Sequence, residues 1–226
     1  MKSWPALLCL TAAMTGCSAL PGHTSESRQS VAVSSPALSL PAPRPEAGQC
    51  LARLDQMGAE YTPLPDRYLE RGCSELGTVQ LASLRSDNAT LGVTNLGPVT
   101  CEVSQVFSAW ARYGVDRAAR QILGSPLRSI ETFGSYSCRN VAGSERRSAH
   151  ATGAAIDVSG FVLEDGRRIT VKDDWNGGSE REREFLQVVQ QSACKRFDTV
   201  LSPDYNAAHQ DHLHVEGVIQ ARSYCR

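Results

Sequence analysis

Four absences bound this chain before any motif is considered. Past its first 16 residues it holds no apolar run near the ~18 residues that a membrane-spanning helix requires. It has no excess of positive charge: 23 Lys and Arg stand against 24 Asp and Glu, a net charge of −1. A protein that neutralises phosphates needs a basic stripe, so a nucleic-acid partner is not expected. No C-x-x-C pair occurs among the eight cysteines, which removes the common thioredoxin-like and zinc-ribbon spacings. Nor is there an internal repeat, so a solenoid or propeller is excluded.

The N-terminus reads as an address. Lys2 is followed by a short apolar stretch from Trp4 to Met14 and then by small residues, the layout of an export signal over residues 1–16. The run Met14-Thr15-Gly16-Cys17 resembles a lipoprotein cleavage site, which implies lipidation of Cys17 and a membrane anchor. Ser18 after that cysteine points to the outer membrane and a periplasmic location. Residues 17–48 form a tether: after Cys17 they hold five prolines, seven serines and no aromatic residue, and so cannot bury a core.

Residues 49–226 then make one domain, large enough to bury roughly 70% of its unfolded surface. With 41% hydrophobic and 21% charged residues in the chain, the composition is globular. Six cysteines fall in this domain: Cys50, Cys73, Cys101, Cys138, Cys194 and Cys225. An even number in an exported chain implies three disulfides, with all pairings open.

Periodicity gives the elements. Leu51, Leu54 and Met57 predict a short helix over 49–58, and Pro63 and Pro65 interrupt any regular element just beyond it. Residues 74–100 read as short strands or loops. Residues 101–123 are the clearest helix, with Val103, Phe107, Trp110 and Leu123 inward. Strands are expected at 127–136, 155–163, 168–172, 198–201 and 212–215, and a second helix at 180–194. That order predicts an α+β fold with a small antiparallel sheet flanked by helices.

The histidines carry the chemistry. His23 lies in the tether, while His150, His209, His212 and His214 lie in the domain, three of them within six residues. His150 precedes Gly153, which permits a tight bend. Asp157 then stands near the head of an apolar strand, where a carboxylate is costly unless paired or bound to metal. In a strand, His212 and His214 face the same way, opposite to Asp211 and Leu213. Imidazoles and a carboxylate around one point form a zinc-type site with a position open to water.

At these residues a family becomes visible. The pattern S-x-H-x-x-G-x-A-x-D followed by H-x-H resembles the zinc peptidases of the lysostaphin, D-Ala-D-Ala peptidase and hedgehog group. The runs LGPVTCEV, GSYSCRN, HATGAAIDVSGF and SPDYNAAHQDHLH, with the terminal cysteine, resemble more closely the bacterial extensin-like C-terminal domain family. The family name carries no implication of a plant cell wall. The resemblance implies a D-Ala-D-Ala peptidase/hedgehog-like architecture, Zn2+ held by His150, Asp157 and His214, and amide hydrolysis. It gives His212 the role of base, with Asp211 the competing base or the group that orients His212. It makes Arg139 an oxyanion stabiliser and Ser148 a substrate contact. His209 and Tyr136 are candidates to face the substrate. The expected substrate is a peptidoglycan peptide bond involving a D-amino acid. The competing expectation is a zinc-containing module that binds peptidoglycan or protein without cutting.

Overall fold

The computed structural model describes residues 45–226. The signal, Cys17, His23 and all but the last four residues of the tether lie outside the described residues. Helix α1 (Pro45–Gln56) begins inside the stretch read as tether, because Pro45 suits a first helical turn, where a missing N–H costs nothing. Strands β1 (Glu60–Pro63), β2 (Arg67–Glu70), β3 (Cys73–Glu75), β4 (Thr78–Arg85), β5 (Thr90–Thr94) and β6 (Val99–Thr100) come after it. Pro63 does not prevent β1. It is the last residue of that strand, at the sheet edge, where no ladder donor is needed.

Helix α2 (Cys101–Trp110) continues through two wider, π-type segments, Ala111–Asp116 and Ala119–Leu123. Strands β7 (Leu127–Gly134), β8 (Ala155–Leu163) and β9 (Arg168–Thr170) come next. Helices α3 (Val171–Gly177) and α4 (Glu180–Cys194), then β10 (Thr199–Leu201), β11 (Leu213–Glu216) and β12 (Tyr224–Cys225), complete the chain. Helix α4 starts where a capping box places it: Glu182 N–H donates to Ser179 Oγ, and Ser179 N–H donates to the Glu182 carboxylate. Helix α3 escaped the periodicity reading. The chain passes straight from β9 into it, and Thr170 caps it through the N–H of Asp173.

The fold is α+β, but the sheet is neither small nor wholly antiparallel. Ten strands join it, in the order β1-β4-β5-β7-β8-β11-β10-β12, with β6 beside β4 and β9 beside β8. Two pairs are parallel: β5 with β7, and β10 with β12. Parallel neighbours require a long crossover, and the α2 segment supplies it between β5 and β7. A separate pair, β2–β3, forms a small antiparallel hairpin.

Trp110 is the hub of the core. It is fully buried, its Nε1–H donates to Val189 O at 3.1 Å, and its ring meets Phe107, Phe161 and Phe197 at 5.7–6.2 Å between centroids. Val103, Phe107, Trp110 and Leu123 face inward as the helical period requires. Gly114 allows α4 to approach, since a Cβ there would collide with Ser192 and Trp110.

The six domain cysteines pair as Cys50–Cys101, Cys73–Cys138 and Cys194–Cys225. The first ties α1 to the start of α2. The second ties the β2–β3 hairpin to the segment after β7. The third ties the end of α4 to β12. Among the described residues no helix is long and apolar enough to cross a membrane.

Candidate metal centre

Three neighbouring strands, β7, β8 and β11, set the site. Strands β8 and β11 pair antiparallel with His214 directly opposite Asp157. Directly opposed residues share a face, so these two side chains meet without any loop adjustment. His150 arrives from a 3-10 turn, Ala149–Thr152, capped by Ser148 Oγ accepting from His150 N–H at 3.3 Å. Gly153 ends that turn at φ 65°. The left-handed conformation reverses the chain into β8, and a Cβ there would stand 3.1 Å from Pro98 O.

The result is a compact donor set. His150 Nε2 lies 3.2 Å from Asp157 Oδ1 and 3.1 Å from His214 Nδ1, and His214 Nδ1 lies 2.9 Å from Asp157 Oδ1. Ligands ~2.0–2.1 Å from a tetrahedral zinc stand roughly 3.3 Å from one another, so these separations fit such an ion. Two imidazoles and a carboxylate are also the donor chemistry that zinc accepts.

Both histidines of the donor set are oriented from behind. His150 Nδ1 is hydrogen-bonded to the Ser135 carbonyl, while Ser135 Oγ donates to Pro98 O at 2.7 Å. His214 Nε2 meets Glu216 Oε2 at 3.1 Å. Glu216 was missed in the sequence, although two-residue alternation along His212-x-His214-x-Glu216 places it on the same face. Burial opposes ionisation of Asp157, yet its hydrogen bonds with His150 and His214 outweigh burial and hold its carboxyl far below the usual range. Burial likewise opposes charge on His214, but the bonds to Asp157 and Glu216 prevail and raise it to about 9.

His212 lies just outside the regular part of β11, but its ring still turns toward the ligands. Its Nε2 is 3.4 Å from Asp157 Oδ1, and its Nδ1 is 2.8 Å from Asp211 Oδ1. The Phe133 ring sits edge-on to it, 5.9 Å between centroids. Asp211 therefore occupies the orienting position behind His212 rather than a position among the ligands. Arg139, half exposed, comes within 3.9 Å of Asp157 Oδ2. His209 is held by Asn206, with Nδ1 2.7 Å from Asn206 Oδ1. Burial first, then the neighbouring His212 and His214, lower His209 to about 4.

A cleft of about 470 Å³ opens beside the donor set, with Arg139, Ser148, His209, His212 and His214 on its walls. Tyr136 is not among its lining residues. Its ring lies within electrostatic reach of Glu75 and Glu70 near the β2–β3 hairpin, where burial and those charges raise its phenol above the ordinary value. The hydroxyl, candidate for a substrate contact, is a buried group instead.

The family model described as "Extensin-like protein C-terminus" matches residues 48–226. The chain belongs to this family. The match spans the described domain almost end to end and includes every residue of the donor set. No curated protein matches the chain, and no solved structure does. Within this extensin-like chain the grouping of His150, Asp157 and His214, with all ligand atoms inside 4.8 Å, rests on its own geometry.

Proposed function

We propose that this chain is a zinc-dependent peptidase of the cell envelope that hydrolyses a peptidoglycan peptide bond involving a D-amino acid. The observation that carries the reading is the donor set: two imidazole nitrogens and a carboxylate oxygen at mutual distances of 2.9–3.2 Å, with His214 on the wall of a cleft. The sequence resemblance to the lysostaphin and D-Ala-D-Ala peptidase group supports it. The signal-like N-terminus and Cys17 support a periplasmic, lipid-anchored location.

His150, Asp157 and His214 would hold the ion. When bound, zinc supplies a Lewis acid for the scissile carbonyl and lowers the pKa of water toward ~7. His212 takes a proton at Nε2 and returns it to the leaving amine. Asp211, on Nδ1, selects the tautomer that leaves Nε2 free to accept and stabilises the imidazolium that forms. Arg139 offers its guanidinium to the developing oxyanion. Ser148 holds the turn that delivers His150 and presents its edge to the cleft.

The test measures zinc per chain in the oxidised protein, then incubates it with sacculi and reads the muropeptides. Loss of peptide cross-links or terminal residues, abolished by a chelator, supports the reading. Unchanged muropeptides at saturating zinc overturn it and leave a zinc-containing binding module.

A further inference from the structure

The segment between Arg139 and Ser148 is a small hairpin, built so that alternate residues face opposite ways. Asn140 and Arg147 form an isolated antiparallel bridge. Ser148 N–H donates to Arg139 O at 3.1 Å, and Val141 N–H donates to Arg146 O at 2.9 Å. Asn140 and Arg147 point away from the cleft: Arg147 is bound to Arg71 O, to Asn140 Oδ1 and to Glu70. Their neighbours Arg139, Val141, Arg146 and Ser148 all line the cleft, as the two-residue period dictates.

Arg139 and Arg146 are therefore diagonal partners on one face of the hairpin, a relation with Cβ atoms roughly 7–8 Å apart. Two guanidinium groups on one wall repel each other unless an anion lies between or before them. Arg146 forms no ion pair among the described residues, and the nearest carboxylate to Arg139 is Asp157 at 3.9 Å, which is already engaged by the histidines. Among the described residues that line the cleft, the one carboxylate is Glu216, and His214 holds it. Arg146 lines the same cleft as Glu216 and Tyr205, and its positive charge favours the ionised form of both. Tyr205 and Tyr224 supply an aromatic far wall.

We infer that Arg146 is an anchor for the free α-carboxylate of a peptide whose last bond lies at the donor set, which makes the chain a carboxypeptidase. This rests on the proposed peptidase reading and adds to it the end of the peptide that is recognised. A guanidinium binds a carboxylate through paired, charge-assisted hydrogen bonds and gains nothing comparable from an amide.

The experiment measures equilibrium binding by the full-length His212→Ala protein, so that turnover does not consume the probe. Three probes are compared: N-acetyl-D-alanyl-D-alanine, its C-terminal amide, and N-acetyl-D-alanyl-D-glutamate α-amide, whose carboxylate is on a side chain. Each is titrated into His212→Ala and His212→Ala/Arg146→Gln, with and without saturating zinc. The free-carboxylate peptide is expected to bind His212→Ala about 10-fold more tightly than the amide, the scale of a hydrogen bond to a charged group. Arg146→Gln removes that difference and leaves amide binding unchanged, and Arg146→Lys restores part of it. Equal binding of acid and amide overturns the proposal. So does no detectable binding of any probe, or an acid preference that survives Arg146→Gln, which assigns it to the metal. Preference for the side-chain carboxylate overturns the C-terminal assignment. Zinc uptake and muropeptide turnover of the wild-type chain are read separately, so a chain that binds the acid through Arg146 but cuts nothing refutes the peptidase reading alone.

Discussion

Glu216 Oε2 lies 3.1 Å from His214 Nε2, on the side of the ring opposite Asp157. In the neutral ring the carboxylate thereby assigns the proton to Nε2 and leaves Nδ1, on the side of Asp157, with a free lone pair. A buried imidazole without that partner can present the wrong tautomer.

Glu216→Gln is accordingly expected to weaken zinc binding on the order of 10–100-fold while leaving one site per chain. Competition with a chromogenic chelator measures it. An affinity equal to that of the wild type shows that His214 needs no orienting group.

His212→Ala is expected to bind zinc as the wild type does and to lose turnover by about 10²–10⁴-fold, the usual contribution of a positioned base. His150→Ala, Asp157→Ala and His214→Ala should instead lose the metal. Metal analysis beside a muropeptide assay separates the two classes. Full turnover in His212→Ala with zinc present removes it as the base.

The metal-free protein has a predictable pH dependence. His214 is raised to about 9, so its contribution to stability is present below the unfolded value of ~6.5 and is lost as pH rises toward 9. Melting temperature in chelator should fall across that window, and His214→Gln should flatten the fall. Zinc competes with the same proton, so zinc affinity should rise over the same interval. A melting temperature that rises with pH there contradicts the assignment.

Gly153→Ala places a Cβ at φ 65° and 3.1 Å from Pro98 O. The left-handed conformation alone costs about 1–2 kcal/mol. The variant is expected to melt earlier and to bind zinc more weakly, because the same turn carries His150. Calorimetry with and without zinc checks both effects.

Replacing Cys73 and Cys138 together by Ser opens a bridge across 65 residues of sequence. The loss should be about 2–4 kcal/mol. None of the three residues of the donor set sits on this bridge, whereas Arg139 comes directly after Cys138. Zinc content should survive while turnover falls. Unimpaired turnover separates Arg139 from the chemistry.

Much of this was legible in the sequence because local signals were strong. The apolar run Ala155–Leu163 and the capped, amphipathic Glu180–Cys194 announce their own ends, and the structure places both as read. Two-residue alternation alone puts His212 and His214 on one face, and the grouping of His150, Asp157 and His214 was legible only through the family resemblance. The hidden part depends on long-range pairing. Nothing local distinguishes a parallel β5–β7 neighbour from an antiparallel one. Nothing in residues 139–148 alone reveals a hairpin with two arginines on one face. Tyr136 misled because strand-end position does not say which side a ring will take.

The direct opposition of His214 and Asp157 across β8 and β11 has a consequence for how the chain reaches its fold. A slip of one residue between these strands would carry one of the two side chains to the far face. On the proposed reading, an ion that needs both would bind only the correctly aligned pair, and would so proofread strand pairing as well as serve the chemistry. Chelator present while the chain folds should then trap more misaligned molecules than chelator added afterwards.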